Sequence, residues 1–87
     1  MRIIKTAHAN EDWSLNVEFD DGVKCRFNAK PLLAYEAYSS LRSHNAFSKI
    51  HNSGYCIEWE SGVDVSADTL YHDGVCEPPS SPPQKTH

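Results

Sequence analysis

At 87 residues the chain has room for one small domain, which buries only about two thirds of the surface its unfolded form exposes, so help from a partner or a second copy would suit it. Hydrophobic content of 39%, charged content of 23% and a net charge of -4 describe an ordinary soluble protein and argue against nonspecific binding to nucleic acid or anionic membrane. No apolar run is long enough to span a bilayer, and the N-terminus lacks the charged, apolar and small-residue order of a signal peptide, so a cytoplasmic location is expected.

In chain order, Arg2 to His8 reads as a first strand, and Asn10, Glu11 and Asp12 make a polar turn into a second, from Trp13 to Phe19, whose odd positions are all apolar. The hairpin that follows has a register that can be derived. A two-residue turn at Asp21-Gly22 would set Phe19 against Lys24 and Val17 against Arg26, mixing core and solvent residues. A three-residue loop of Asp20, Asp21 and Gly22 instead pairs Phe19 with Val23, Val17 with Cys25 and Leu15 with Phe27, leaving Glu18 opposite Lys24 and Asn16 opposite Arg26. Gly22 takes the positive φ that such a loop needs.

From Pro31 to Ser43 the period changes. Leu33, Ala37 and Leu41 lie four apart with Ala34 and Tyr38 beside them, which predicts one α-helix with Pro31 at its first position. Ser43-His44-Asn45 should end it, with His44 near its C-terminal dipole, and Phe47 and Ile50 fit a short turn and a strand. The segment Ile57-Glu58-Trp59-Glu60-Ser61-Gly62-Val63 then copies Val17-Glu18-Phe19-Asp20-Asp21-Gly22-Val23. Its loop of Glu60, Ser61 and Gly62 pairs Trp59 with Val63 and Ile57 with Val65, placing Tyr55, Ile57 and Trp59 on one face. The elements after the two hairpins differ, so the copy is a pseudo-repeat. Ser66 is placed to cap a helical turn through Tyr71, with Asp68 in its first turn.

The expected architecture is α+β: a two-layer antiparallel sheet of four to six strands, made of two main hairpins plus edge strands, with one main helix packed on one face and a short C-terminal helical turn. The expected core is Leu15, Val17, Phe19, Val23, Phe27, Leu33, Leu41, Phe47, Ile57, Trp59, Val65 and Leu70. Residues 1–76 form the single domain, and the proline-rich run 77–87 is a disordered tail. Cys25, Cys56 and Cys76 are an odd number without C-x-x-C spacing, which argues against a disulfide framework and against a zinc site. Cys25 falls on the apolar face of its strand and Cys56 on the opposite face of its own, beside Glu58.

The spacing of Leu15, Phe19, Asp21 and Gly22, then Leu33, Leu41 and Phe47, then Ile57, Trp59, Gly62, Asp64, Asp68, Leu70 and Tyr71 resembles the bacterial domain-of-unknown-function family 2442 across about residues 1–73. The resemblance implies a small α+β domain. It also implies an association, in some members, with arrangements resembling toxin–antitoxin pairs, and in others with a helix-turn-helix extension that this chain replaces with its proline-rich tail. It carries over no catalytic residues.

His8, His44, His51 and His72 are scattered among carboxylates without a catalytic string or a metal-ligand spacing, so no cofactor and no metal are expected, and a small enzyme with an unrecognised site ranks last. Glu58, Glu60, Asp64, Asp68 and Tyr71 are the candidate binding residues: carboxylates for a basic partner and an aromatic anchor. Asp68 could equally serve only its helix, and Leu70 and Tyr71 only the core. The reading favoured is a non-catalytic protein-interaction module, antitoxin-like or an accessory partner, with a homodimer through a sheet edge as one way to pair. The alternative is an acidic inhibitor that imitates nucleic acid, in the manner of anti-CRISPR proteins, rather than a direct nucleic-acid binder.

Overall fold

A computed structural model of the chain describes residues 2–78. The fold is α+β and its strands are antiparallel. The two hairpins form in the derived register. Strand β2 (Ser14–Phe19) runs against β3 (Lys24–Asn28) with Leu15 opposite Phe27, Val17 opposite Cys25, Asn16 opposite Arg26 and Glu18 opposite Lys24. The Phe19 N–H donates to the Val23 carbonyl at 2.9 Å, and Gly22 closes the loop at φ 88°. In the second hairpin, β5 (Cys56–Trp59) and β6 (Asp64–Ser66) pair Ile57 with Val65, the Trp59 N–H donates to the Val63 carbonyl at 3.0 Å, and Gly62 sits at φ 97°.

The hairpins belong to two sheets rather than one. Strand β1 (Ile4–Ala9) and the short β7 (Val75–Glu77) flank the first in the order β1-β2-β3-β7, while β4 (Ile50–Asn52) completes the second in the order β4-β5-β6. Asn52 joins them: its side-chain amide donates to the Ile4 carbonyl at 3.1 Å, and its side-chain oxygen accepts from the Gly54 N–H at 2.8 Å. The Ile4 N–H donates to the Gly54 carbonyl at 2.7 Å. Buried residues of both sheets form one cluster, which contains every expected core residue except Val23 and Leu33, packed half-buried against it, and adds Ile4, Cys25, Ala29 and Ala67. Tyr55 leaves the face it was expected to share, being 58% exposed in the loop before β5.

The expected main helix is replaced by two 3-10 segments, Lys30–Ala34 and Glu36–Arg42, separated by Tyr35 in extended conformation. Hydrogen bonds at intervals of three residues link Ala29, Leu32, Tyr35 and Tyr38. The inward side chains of the two segments are Leu32, Leu33, Tyr38 and Leu41, while Ala34, Tyr35 and Ala37 face water, so no single stripe runs through both. Ser39 and Ser40 are poor helix formers, and a helix this short gains little from propensity, so packing decides its form. Arg42 ties the segments by donating twice to the Leu33 carbonyl. Pro31 does sit at the start of its segment.

Ser43 caps a single turn, α1 (His44–Ser48), so His44 opens a helix instead of closing one. Its ring stacks on Trp13 at 3.9 Å. Trp13 has φ 61°, which costs a bulky residue about 1–3 kcal/mol. Its indole N–H compensates by donating to the Leu41 carbonyl at 2.8 Å, fixing the 3-10 segment to the head of β2. Ser66 caps α2 (Ala67–Asp73) as expected, accepting from the Thr69 N–H at 3.1 Å, with Asp68 in the first turn.

Two C-terminal expectations change. The sheet extends through Glu77, one residue past the expected domain boundary, and Cys25 and Cys76 are joined by a disulfide. Sequence spacing hid this pair because a three-residue strand carries almost no periodic signal, and strand pairing alone sets the two cysteines opposite each other. The part of the expected tail from 79 to 87 lies outside the described residues. Among the described residues, no helix is long and apolar enough to cross a membrane.

Candidate functional site

Alternation along β5 sends Ile57 and Trp59 inward and leaves Cys56 and Glu58 half-buried on the outer face. Strand β6 does the same with Val65 inside and Asp64 and Ser66 outside. The register then fixes which outer groups meet. Glu58 lies opposite Asp64 on one side and His51 on the other, forming a row across three strands, and Cys56 lies opposite Ser66. The Cys56 thiol donates to Glu58 Oε2 at 3.6 Å, and its Sγ is 3.2 Å from Ser53 Oγ. Ligand-type atoms of Cys56, Glu58 and Asp64 all lie within 4.8 Å of one another.

One sulfur and two carboxylate oxygens are donors that a borderline cation such as zinc accepts, although a closed structural site takes four. Nucleophilic thiols are typically activated by an imidazole or a cation, and the groups touching Cys56 Sγ are instead a hydroxyl and a carboxylate. What the arrangement offers most directly is fixed negative charge on a flat, partly shielded surface.

The other expected residues are distributed around this row. Glu60 is exposed in the hairpin loop and borders a hollow with Glu58, Lys49 and His51. Asp68 lines a shallow cleft of about 280 Å³ with Arg2, Tyr55 and Ser66. Tyr71 is half-buried: the Arg2 guanidinium lies 3.3 Å from its ring centre, and its ring meets Phe19 edge-on at 6.0 Å. Thus Glu58 and Asp64 are brought together, Glu60 borders them, and Tyr71 is committed to Arg2 and Phe19. His51 was missed as a neighbour of the acidic pair, while Cys56 was already expected beside Glu58. The signal for Cys56 was its two-residue spacing from Glu58, whereas His51 depended on a short strand that sequence reading left unregistered.

The first hairpin handles its acids differently. Asp21 pairs with Arg2 at 2.8 Å and Asp12 with Arg26, and Glu18 faces Lys24. The Ser14 hydroxyl, donating at 2.6 Å, together with Arg26, holds the Asp12 carboxyl below its usual range despite some desolvation. The Val23 N–H, donating at 3.0 Å, and Arg2 do the same for Asp21. Among the described residues, Glu58, Glu60, Asp64 and Asp68 have no ion pair.

The fold and this surface define a small α+β domain in which arginines pair with Asp12 and Asp21 around the first hairpin, while in the second Glu58 faces Asp64. The family described as "Protein of unknown function (DUF2442)" matches residues 4–75, and the chain belongs to it. No curated protein and no solved structure matches the chain.

Proposed function

We propose that the chain is a non-catalytic protein-interaction module that receives a basic segment of a partner protein on the outer face of β4, β5 and β6. The observation that supports this is the direct opposition of Glu58 and Asp64. Like charges facing each other across an antiparallel pair destabilise it, and the equivalent position of the first hairpin carries the stabilising combination of Glu18 and Lys24. Local rules of this kind are broken mainly where function requires it. An antitoxin-like or accessory role fits a module of this size, and the outer edge of β1 offers a place for a second copy.

The test is an affinity pull-down of the tagged protein from its native lysate at low and high salt, run beside the double variant E58Q/D64N. One stoichiometric protein retained by the wild type and lost by an equally stable variant supports the proposal. Equal retention by both moves the contact elsewhere. A nucleic-acid-handling complex released by salt would favour the acidic inhibitor instead, because exposed charge contacts are screened.

A further inference from the structure

The strand β7 is held to the first sheet by very little besides its disulfide. Val75 is 78% exposed and Glu77 is exposed, leaving Cys76 as the only β7 side chain that reaches the interior. The register covers only Lys24, Cys25 and Arg26 of β3. Pro78 follows and cannot donate a further ladder bond. Upstream, α2 is anchored independently by Leu70 and Ala67, both buried. At the junction, Gly74 passes so close to the Leu70 and Arg26 carbonyls that a Cβ would lie 2.5 and 3.1 Å from them.

We infer that the Cys25–Cys76 disulfide is a redox clasp: oxidised, it holds β7 on β3, and reduced, it lets β7 leave while the other three strands of that sheet remain. Disulfides in reducing compartments are characteristically reversible in this way. The reductant is a low-molecular-weight thiol. Its thiolate attacks Sγ of Cys76, the more exposed of the two residues, and the Cys25 thiolate leaves and takes up a proton. A second reductant thiol, as its thiolate, resolves the mixed disulfide. The two protein sulfurs gain two electrons and two protons, and the reductant leaves as its own disulfide. Cys25, only 4% exposed, then remains in the core as a small hydrophobe.

Release opens a specific row of backbone groups. The Phe19 N–H bonds the Val23 carbonyl and the Ala29 N–H bonds the Trp13 carbonyl, so alternate residues of β3, including Cys25 and Phe27, face β2. Lys24 and Arg26 face β7 and would be left as an open edge. The same release removes Val75 and Glu77 from a groove of about 460 Å³ on the sheet's outer face, which they line with His8, Glu18, Lys24 and Arg26.

Amide hydrogen exchange on the labelled full chain, with and without dithiothreitol, tests this residue by residue, with alkylation and mass measurement counting free thiols. Alkylated after denaturation, the oxidised protein should yield one free thiol, Cys56, and the reduced protein three. On reduction, the amides of Lys24, Arg26, Val75 and Glu77 should exchange on the order of 100-fold faster, while those of Cys25 and Phe27 keep their protection. The variant C76S should show the reduced pattern without any reductant. Unchanged rates at Lys24 and Arg26, simultaneous loss of protection at Cys25 and Phe27, or three alkylated thiols before reduction would each overturn the inference.

Discussion

Glu58 and Asp64 face each other directly across β5 and β6, in the register where Glu18 faces Lys24 across β2 and β3. Two hairpins with the same loop geometry and the same inward alternation thus make opposite charge choices at the outward pair nearest the loop. Replacing Asp64 by Lys copies the first hairpin into the second. D64K is expected to raise stability by about 0.2–1 kcal/mol in urea denaturation and to abolish retention of a basic partner. A destabilised D64K would show that the carboxylate has a structural task in the fold.

Trp59 joins Ile57 and Val65 as the second sheet's share of the core. Its ring stacks on Phe47 at 5.6 Å, and its indole N–H donates to the Phe47 carbonyl at 2.8 Å. Trp59→Ala removes both and is expected to cost about 3–5 kcal/mol, enough to unfold so small a domain. Trp59→Phe keeps a ring but leaves that carbonyl without its donor, which should cost about 1–3 kcal/mol. Equal melting temperatures for W59F and wild type would remove the hydrogen bond from the account.

The hairpins were legible in the sequence because alternation and loop chemistry act on the same residues. Shifting Phe19 against Lys24 would have mixed core and solvent side chains, and Gly22 and Gly62 supply the positive φ that the remaining loop needs. The connecting segment was not legible. Leu33, Ala37 and Leu41 satisfy a period of four, yet Ala37 is exposed, Tyr35 breaks the run into two short segments, and Trp13, far off in sequence, fixes the second by holding the Leu41 carbonyl. The acidic residues could be read individually. Which of them meet depended on register, and register reached Glu58 and Asp64 but not His51, whose strand has three residues.

The cap at Ser66 makes a graded prediction. Its hydroxyl oxygen accepts from the Thr69 N–H at 3.1 Å and is 2.9 Å from the Thr69 hydroxyl, at the head of a seven-residue helix that carries buried Ala67 and Leu70. Ser66→Ala should therefore cost about 0.5–2 kcal/mol. Ser43 caps α1 through a longer contact of 3.4 Å to the Ala46 N–H, so Ser43→Ala should cost less. Thermal melts of the two variants side by side check the order, and an equal loss in both would show that cap geometry does not set the difference.

Asp12 and Asp21 give the fold an acid-sensitive element. The Ser14 hydroxyl and Arg26 hold Asp12 low, and the Val23 N–H and Arg2 hold Asp21 low, relative to the usual 3.8. A carboxylate with a lower pKa folded than unfolded adds stability that is fully present above the unfolded value and is lost as pH falls through the folded one. The contribution of both residues should thus be constant near neutrality and decline from just above 3.8 downward. Asn at either position can still accept a hydrogen bond but cannot titrate across this range, so D12N and D21N should each flatten the acid limb of a stability-against-pH curve. Salt will screen the Arg2 and Arg26 contributions while leaving the Ser14 and Val23 bonds in place, so part of the slope should persist at high ionic strength. An acid limb identical in wild type and D12N/D21N would assign the whole of the pH dependence to other carboxylates.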